Sequence, residues 1–167
     1  NTLKFVCNVD SNFKMGVRTM GITESADEET EKPFKSNQRD VWTTYDKDGN
    51  HDHKDALSIG INAYMLDLSP DLGYPLRADS GNERMHWVSG TLSHDTVLVD
   101  SKQQTNTYAG EPKHFDDSGF VKLMDTEATR NYSSTDLYKR TVSMIQIDED
   151  SSYIVDLFRV SGGSTHE

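Results

Sequence analysis

The sequence is short of almost everything that would let a chain fold by brute force. It has a single cysteine, Cys7, so no internal disulfide can form and the fold must be held by burial and hydrogen bonding alone. Four prolines in 167 residues exclude a polyproline or collagen-like chain. Apolar residues make up only 34% of the sequence, and no run approaches the roughly 20 consecutive apolar residues that span a bilayer as a helix, so no membrane partner is expected. A basic segment followed by an apolar signal core is also missing. Positive charge is scarce: 17 Lys and Arg stand against 28 Asp and Glu, a formal net charge of −11. Such a chain repels a phosphate backbone instead of releasing counterions from it, which excludes nucleic acid as an expected partner.

The length fits one domain, 1–167, large enough to bury a core. A core assembled from so few apolar residues suits strands with one buried face. The hydrophobic pattern agrees. LKFVCNV and FKMGVRTM alternate and are joined by the turn former DSN, predicting a hairpin. In ALSIGINAYMLDLS the residues Leu57, Ile59, Ile61, Ala63 and Met65 share one parity, which predicts a strand with one face inward. TVLVD reads as a strand, as do GFVKLMDTEA, LYKRTVSMIQID and SSYIVDLFRV, separated by the turn-rich FDDSG, RNYSSTD and DEDSS. Residues 81–92 can make a short helical turn, and the acidic-then-basic stretch from Thr23 to Asp40 reads as an exposed loop. The expected fold is all-β, an antiparallel β-sandwich. A chain that begins with Asn1 and ends on SGGSTHE directly after a strand is expected to be an excised piece of something longer.

The densest chemistry lies in DKDGNHDHKDALS, Asp46 to Ser58. As a calcium loop it offers Asp46, Asp48, Asn50 and Asp52 at alternate positions. A helix–loop–helix calcium site also needs Gly at its sixth position and a bidentate Glu at its twelfth, where this chain has His51 and Leu57. As a transition-metal site it offers His51 and His53, two apart. If the register of the following strand runs back that far, both rings point into the sandwich at its rim. Zinc needs further ligands, and Asp71 in SPDLGYP and His94 in TLSHDTVLVD are available near strand ends. The plain alternative is a polar loop with unliganded histidines.

The order of these motifs resembles the heparinase II/III-like polysaccharide lyases. An H-x-H-x-D motif enters a strand (His51, His53, Asp55, then ALSIGI), a D-x-G-Y turn follows (Asp71, Gly73, Tyr74), and SHDTVLVDSKQQ is similar to that family's His-Asn-Thr-Val-x-Val-Asp-Gly signature. Asp95 replaces the signature's Asn and Ser101 its Gly. The resemblance covers roughly Asp46 to the end. It implies part of a larger sandwich, excised from a bacterial enzyme, periplasmic or secreted, whose N-terminal α/α toroid is absent here. The implied activity is β-elimination on an acidic polysaccharide of heparan sulfate or alginate type, with the acid and base in the toroid. The implied roles are His51 as the catalytic-site residue in the cleft, and His53, Asp71 and His94 as ligands of a structural Zn2+, Asp67 standing in reserve for Asp71. Lys54, Arg77, Arg84 and Lys102 lie near the motifs and could face the substrate. The competing expectation is a non-catalytic carbohydrate-binding sandwich, with Ca2+ in place of zinc and Trp42, Tyr45, Tyr74 or Trp87 stacking on sugar rings.

Overall fold

A computed structural model describes residues 5–6, 13–17, 39–45, 53–64, 66–73, 81, 84–105 and 107–167, with the backbone alone for 5–6, 13–17 and 84–85. Among the described residues nine strands form two sheets. The first runs in the order β1 (Phe5–Val6), β2 (Phe13–Val17), β3 (Arg39–Thr43), β4 (Ile59–Ala63), β5 (Leu66–Asp67). The second is a meander of β6 (Glu111–Asp116), β7 (Val121–Glu127), β8 (Thr135–Gln146) and β9 (Ser152–Gly162). The expected all-β architecture is observed, and β1 and β2 form the expected antiparallel hairpin, Phe5 facing Val17. One pairing departs from the antiparallel rule: β2 and β3 run parallel, Phe13 beside Arg39. No helix among the described residues is long and apolar enough to cross a membrane.

The core is economical in the way the composition demands. Val41 and Ile59 from the first sheet, with Tyr45 just past β3, meet Met124, Val142 and Met144 from β7 and β8. On β8 the inward parity is Tyr138, Arg140, Val142, Met144, two apolar and two polar-bearing side chains on one face. On β7 it is Lys122, Met124, Thr126, and the buried Lys122 amine reaches the carboxylate and carbonyl of Asp117. A second cluster, Ala56, Leu57, Val99, Ala128, Tyr132 and Tyr138, lies beneath the loops that carry the motifs.

Three strand expectations need correction, each for a backbone reason. The long ALSIGINAYMLDLS strand is a hairpin, β4 and β5, with Tyr64 at φ 52° in the turn. The register of β4 does not run back to His53. Leu57 sits at φ 64° and is fully buried, so the chain turns at 56–57 and the parity argument for the histidines fails there. TVLVD is not a ladder strand. Leu98 exchanges backbone bonds with Glu167, and Val99 bridges Lys102 around a tight turn in which Asp100 and Ser101 both have φ 53°. The expected helical turn is present as a π-helical turn, Arg84–Val88, and a 3-10 turn, Thr91–Ser93.

Candidate metal centre

Three irregular segments deliver the site. His53 follows the Asp46–Asp52 stretch, Asp71 follows β5, and His94 closes the Thr91–Ser93 turn. His53 Nδ1 lies 2.9 Å from His94 Nε2 and 3.3 Å from Asp71 Oδ2, and His94 Nε2 lies 3.1 Å from the same oxygen. The two imidazoles are nearly enclosed, at 8% and 2% side-chain exposure, while Asp71 sits at the mouth. The rings meet edge-on, centroids 5.0 Å apart at 62°. Sequence reasoning brought these three residues together from separate motifs, and the fold converges them.

The proton positions decide what this triangle can do. His94 Nδ1 is 2.8 Å from the Gly90 carbonyl, which can only accept, so Nδ1 carries a proton; the neutral ring then presents its Nε2 lone pair to the cluster, and the protonated ring donates Nε2–H to Asp71. The approach of that carbonyl depends on the glycine: a Cβ at Gly90 would stand 2.8 Å from the His86 carbonyl oxygen. Asp71 Oδ1 accepts the Gly73 amide at 2.6 Å, which turns Oδ2 inward. With both rings neutral, the shared space holds a nitrogen lone pair, a carboxylate oxygen and His53 Nδ1. One proton on His53 cannot separate His94 Nε2 from Asp71 Oδ2, two acceptors in contact. The centre therefore calls for positive charge.

The ionisation balance follows from the same contacts. Burial works against the Asp71 charge, but hydrogen bonds from His53, His94 and the Gly73 amide outweigh it and hold the carboxyl well below the usual range. For His94 burial disfavours the cation, yet Asp71, the charge of Asp55 and the Gly90 carbonyl together raise its pKa.

The donor set and spacing fit a divalent metal. Two imidazole nitrogens and one carboxylate oxygen are an ordinary zinc shell, and ligand atoms at about 2.0–2.1 Å around a tetrahedral ion lie about 3.3 Å apart. The observed edges are 2.9, 3.1 and 3.3 Å. Beside the triangle opens a cavity of about 310 Å³ whose wall includes Trp42, Asp55, Asp67 and Asp95. Asp67 lines this cavity without joining the cluster, so Asp71 and not its reserve stands with the two histidines. The cavity's acidic lining suits a cation and not the anionic groups of a glycan.

Several expectations fall elsewhere. His51, and the calcium-loop residues Asp46, Asp48, Asn50 and Asp52, lie outside the described residues, as do Tyr74 and Arg77. Lys54 donates its amine to Gln103 Oε1 at 2.8 Å, and Lys102 is exposed. Of the aromatic candidates, Tyr45 is core, Trp42 is half-buried in the cavity wall and Trp87 is 52% exposed.

Sequence reasoning missed the polar support beneath the loops. Tyr138 Oη contacts Thr96 Oγ1 at 2.8 Å, Gln104 Nε2 at 2.9 Å and the Val97 carbonyl at 2.5 Å. Gln104 Nε2 and Thr96 Oγ1 both donate to the Ala56 carbonyl, at 3.0 and 2.9 Å. Arg140 reaches the carbonyls of Leu57 and Asp95. The available signal was parity: in LYKRTVSMIQID, Tyr138 and Arg140 share the parity of Val142 and Met144, so an arginine stands on the buried face.

No family model and no curated protein matches the sequence. Solved structures do match. A heparinase III crystal structure superposes with a TM-score of 0.55 at 19% identity, over 66% of this chain and 16% of that one. The heparinase III BT4657 gene product gives 0.58 at 24% identity, over 71% of this chain and 18% of that one. Its form with methylated lysines gives 0.59 at 22%, over 80% and 20%. This chain has the fold of part of heparinase III. The match covers about a fifth or less of each heparinase III chain, so the heparinase-like sandwich corresponds to a minor portion of those structures.

Proposed function

We propose that this chain is the sandwich portion of a longer polysaccharide lyase that cleaves uronic-acid-containing glycans of heparan sulfate or alginate type by β-elimination. The observation that carries the reading is the convergence of His53, Asp71 and His94 within a sandwich that has the heparinase III fold. In this reading the three residues hold a structural zinc ion. When bound, that ion supplies a cross-link between three segments that no sheet ladder joins. The chain's own part is to present two imidazole lone pairs, one fixed by the Gly90 carbonyl, and one carboxylate oxygen. His51, two residues before His53, is the residue placed in the cleft.

The elimination itself needs a base to take the proton α to the uronate carboxylate, an acid to protonate the leaving glycosidic oxygen, and a partner that neutralises the carboxylate. The proposal assigns the acid and base to an N-terminal helical toroid of the same protein. It assigns most of the basic contacts there too, which accounts for a sandwich of net charge −11 serving an anionic substrate. Such an enzyme would act in the bacterial periplasm or outside the cell.

The test is a lyase assay on the full-length protein against heparan sulfate, alginate and related glycans, read by the absorbance of unsaturated uronic ends. New absorbance with at least one glycan is expected, and its loss with His51→Ala. A flat trace on every acidic glycan would sink the lyase reading. A second reading, a carbohydrate-binding module, is favoured by the exposed ring of Trp87. It requires binding of a neutral glycan that Trp87→Ala abolishes and His51→Ala leaves intact.

A further inference from the structure

We propose that Arg140 is a positioning residue for the metal centre, setting the spacing of His53 and His94 through the backbone of the two loops that carry them. This rests on the reading of those residues as metal ligands. Arg140 stands on the inward face of β8 and is 6% exposed. Its guanidinium is divided between two tasks. Nε donates to Asp156 Oδ1 at 2.9 Å and Nη2 to Asp156 Oδ2 at 2.6 Å, a bidentate pair across to β9 that fixes the plane of the fork. Nη1 donates to the Leu57 carbonyl at 2.7 Å and to the Asp95 carbonyl. Leu57 is four residues from His53, and Asp95 is the neighbour of His94.

Neither segment lies in a strand: Leu57 N donates to the Thr44 carbonyl, while its own carbonyl, at φ 64°, is taken by Arg140 Nη1. That one nitrogen takes a carbonyl from each segment, beside other bonds between them that include Thr96 and Gln104 to the Ala56 carbonyl and Lys54 N to the Ser89 carbonyl. A shift of either carbonyl moves a histidine whose working distance to its partner is 2.9 Å. Lysine in this position keeps the charge but not the planar fork, and cannot hold Asp156 and both carbonyls together.

The experiment measures zinc affinity by chelator competition, and the visible spectrum of the cobalt-loaded form, on the full-length protein and on R140K, D156N and M144A. Met144, four residues along β8 and paired with Ile154, belongs to the apolar core between the sheets and serves as a control for stability alone. R140K is expected to weaken zinc binding by about tenfold and to shift the cobalt bands, as loss of a ligand-orienting contact does. M144A is expected to lower the melting temperature while leaving zinc affinity within about twofold, the usual behaviour of separate sites. Should R140K fail to fold, D156N carries the test, since its carboxylate is one-third exposed on β9 and its loss frees the fork; about threefold weaker zinc is expected. Unchanged affinity and spectrum in folded R140K, or in D156N where R140K does not fold, overturns the positioning role while the metal reading stands. A parent protein that takes up neither zinc nor cobalt overturns both.

Discussion

His94 commits both of its nitrogens, one to a backbone carbonyl and one to the cluster, and this is what distinguishes it from an ordinary loop histidine. A ring so held cannot relax by flipping, because a flip would set Cδ2 against the Gly90 carbonyl and Cε1 towards the cluster, losing both contacts. Ser101 shows the opposite economy. It occupies the left-handed region at φ 53° beside Asp100 at the same angle, in a two-residue turn that favours Asn-Gly or Asp-Gly. The departure from Gly at this position therefore carries strain of about 1 kcal/mol, set against a surface hydrogen bond from Ser101 Oγ to Glu167. Ser101→Gly is expected to raise the melting temperature by about 1–2 °C, corresponding to a net gain of roughly 0.5 kcal/mol after the entropy of the unfolded glycine is deducted. Calorimetry checks it, and a fall of similar size would show that the hydrogen bond outweighs the strain.

Among the elements, β8 does the most. Its inward face supplies Val142 and Met144 to the core between the sheets and Tyr138 and Arg140 to the loops of the site. Tyr138→Phe removes one hydroxyl and leaves the Val97 carbonyl without it, so a loss of about 1–3 kcal/mol is expected in denaturant unfolding. A midpoint unchanged from the parent would mean that the network is not a stabilising unit. The strands β7, β8 and β9 were legible from alternation because each turns one face towards the core, half-buried on β9, and pairs along most of its length, with an irregularity between Thr135 and Leu137. TVLVD was not, because its apolar residues are buried by loop packing and a short bridge to the chain end, which alternation alone cannot distinguish from a ladder. The triangle of His53, Asp71 and His94 was legible only as a set of motifs. The supports beneath it were hidden because Gln104 and Thr96 have no local signature and parity sets Arg140 on the buried face without naming its partners; all three acquire meaning from carbonyls 40 or more residues away, as in the 48-residue separation of Gln104 from Ala56.

On the scale of the whole molecule, a β-sandwich poor in apolar residues is stitched by polar groups at the end where its irregular loops gather. That end holds the cluster, the acidic cavity and the turn that joins Leu98 to the last residues. A metal there would bind together segments whose separation in sequence leaves them dependent on side-chain contacts, and would explain why two nearly enclosed histidines share one space with a carboxylate. The most direct test is elemental analysis of the purified protein beside the same analysis of His53→Ala. About one equivalent of zinc in the parent and little in the variant is the predicted result, since three ligands are the minimum set of a zinc site and the variant retains two. Zinc retained in full by His53→Ala, or absent from the parent, would contradict the metal centre on which the functional reading rests.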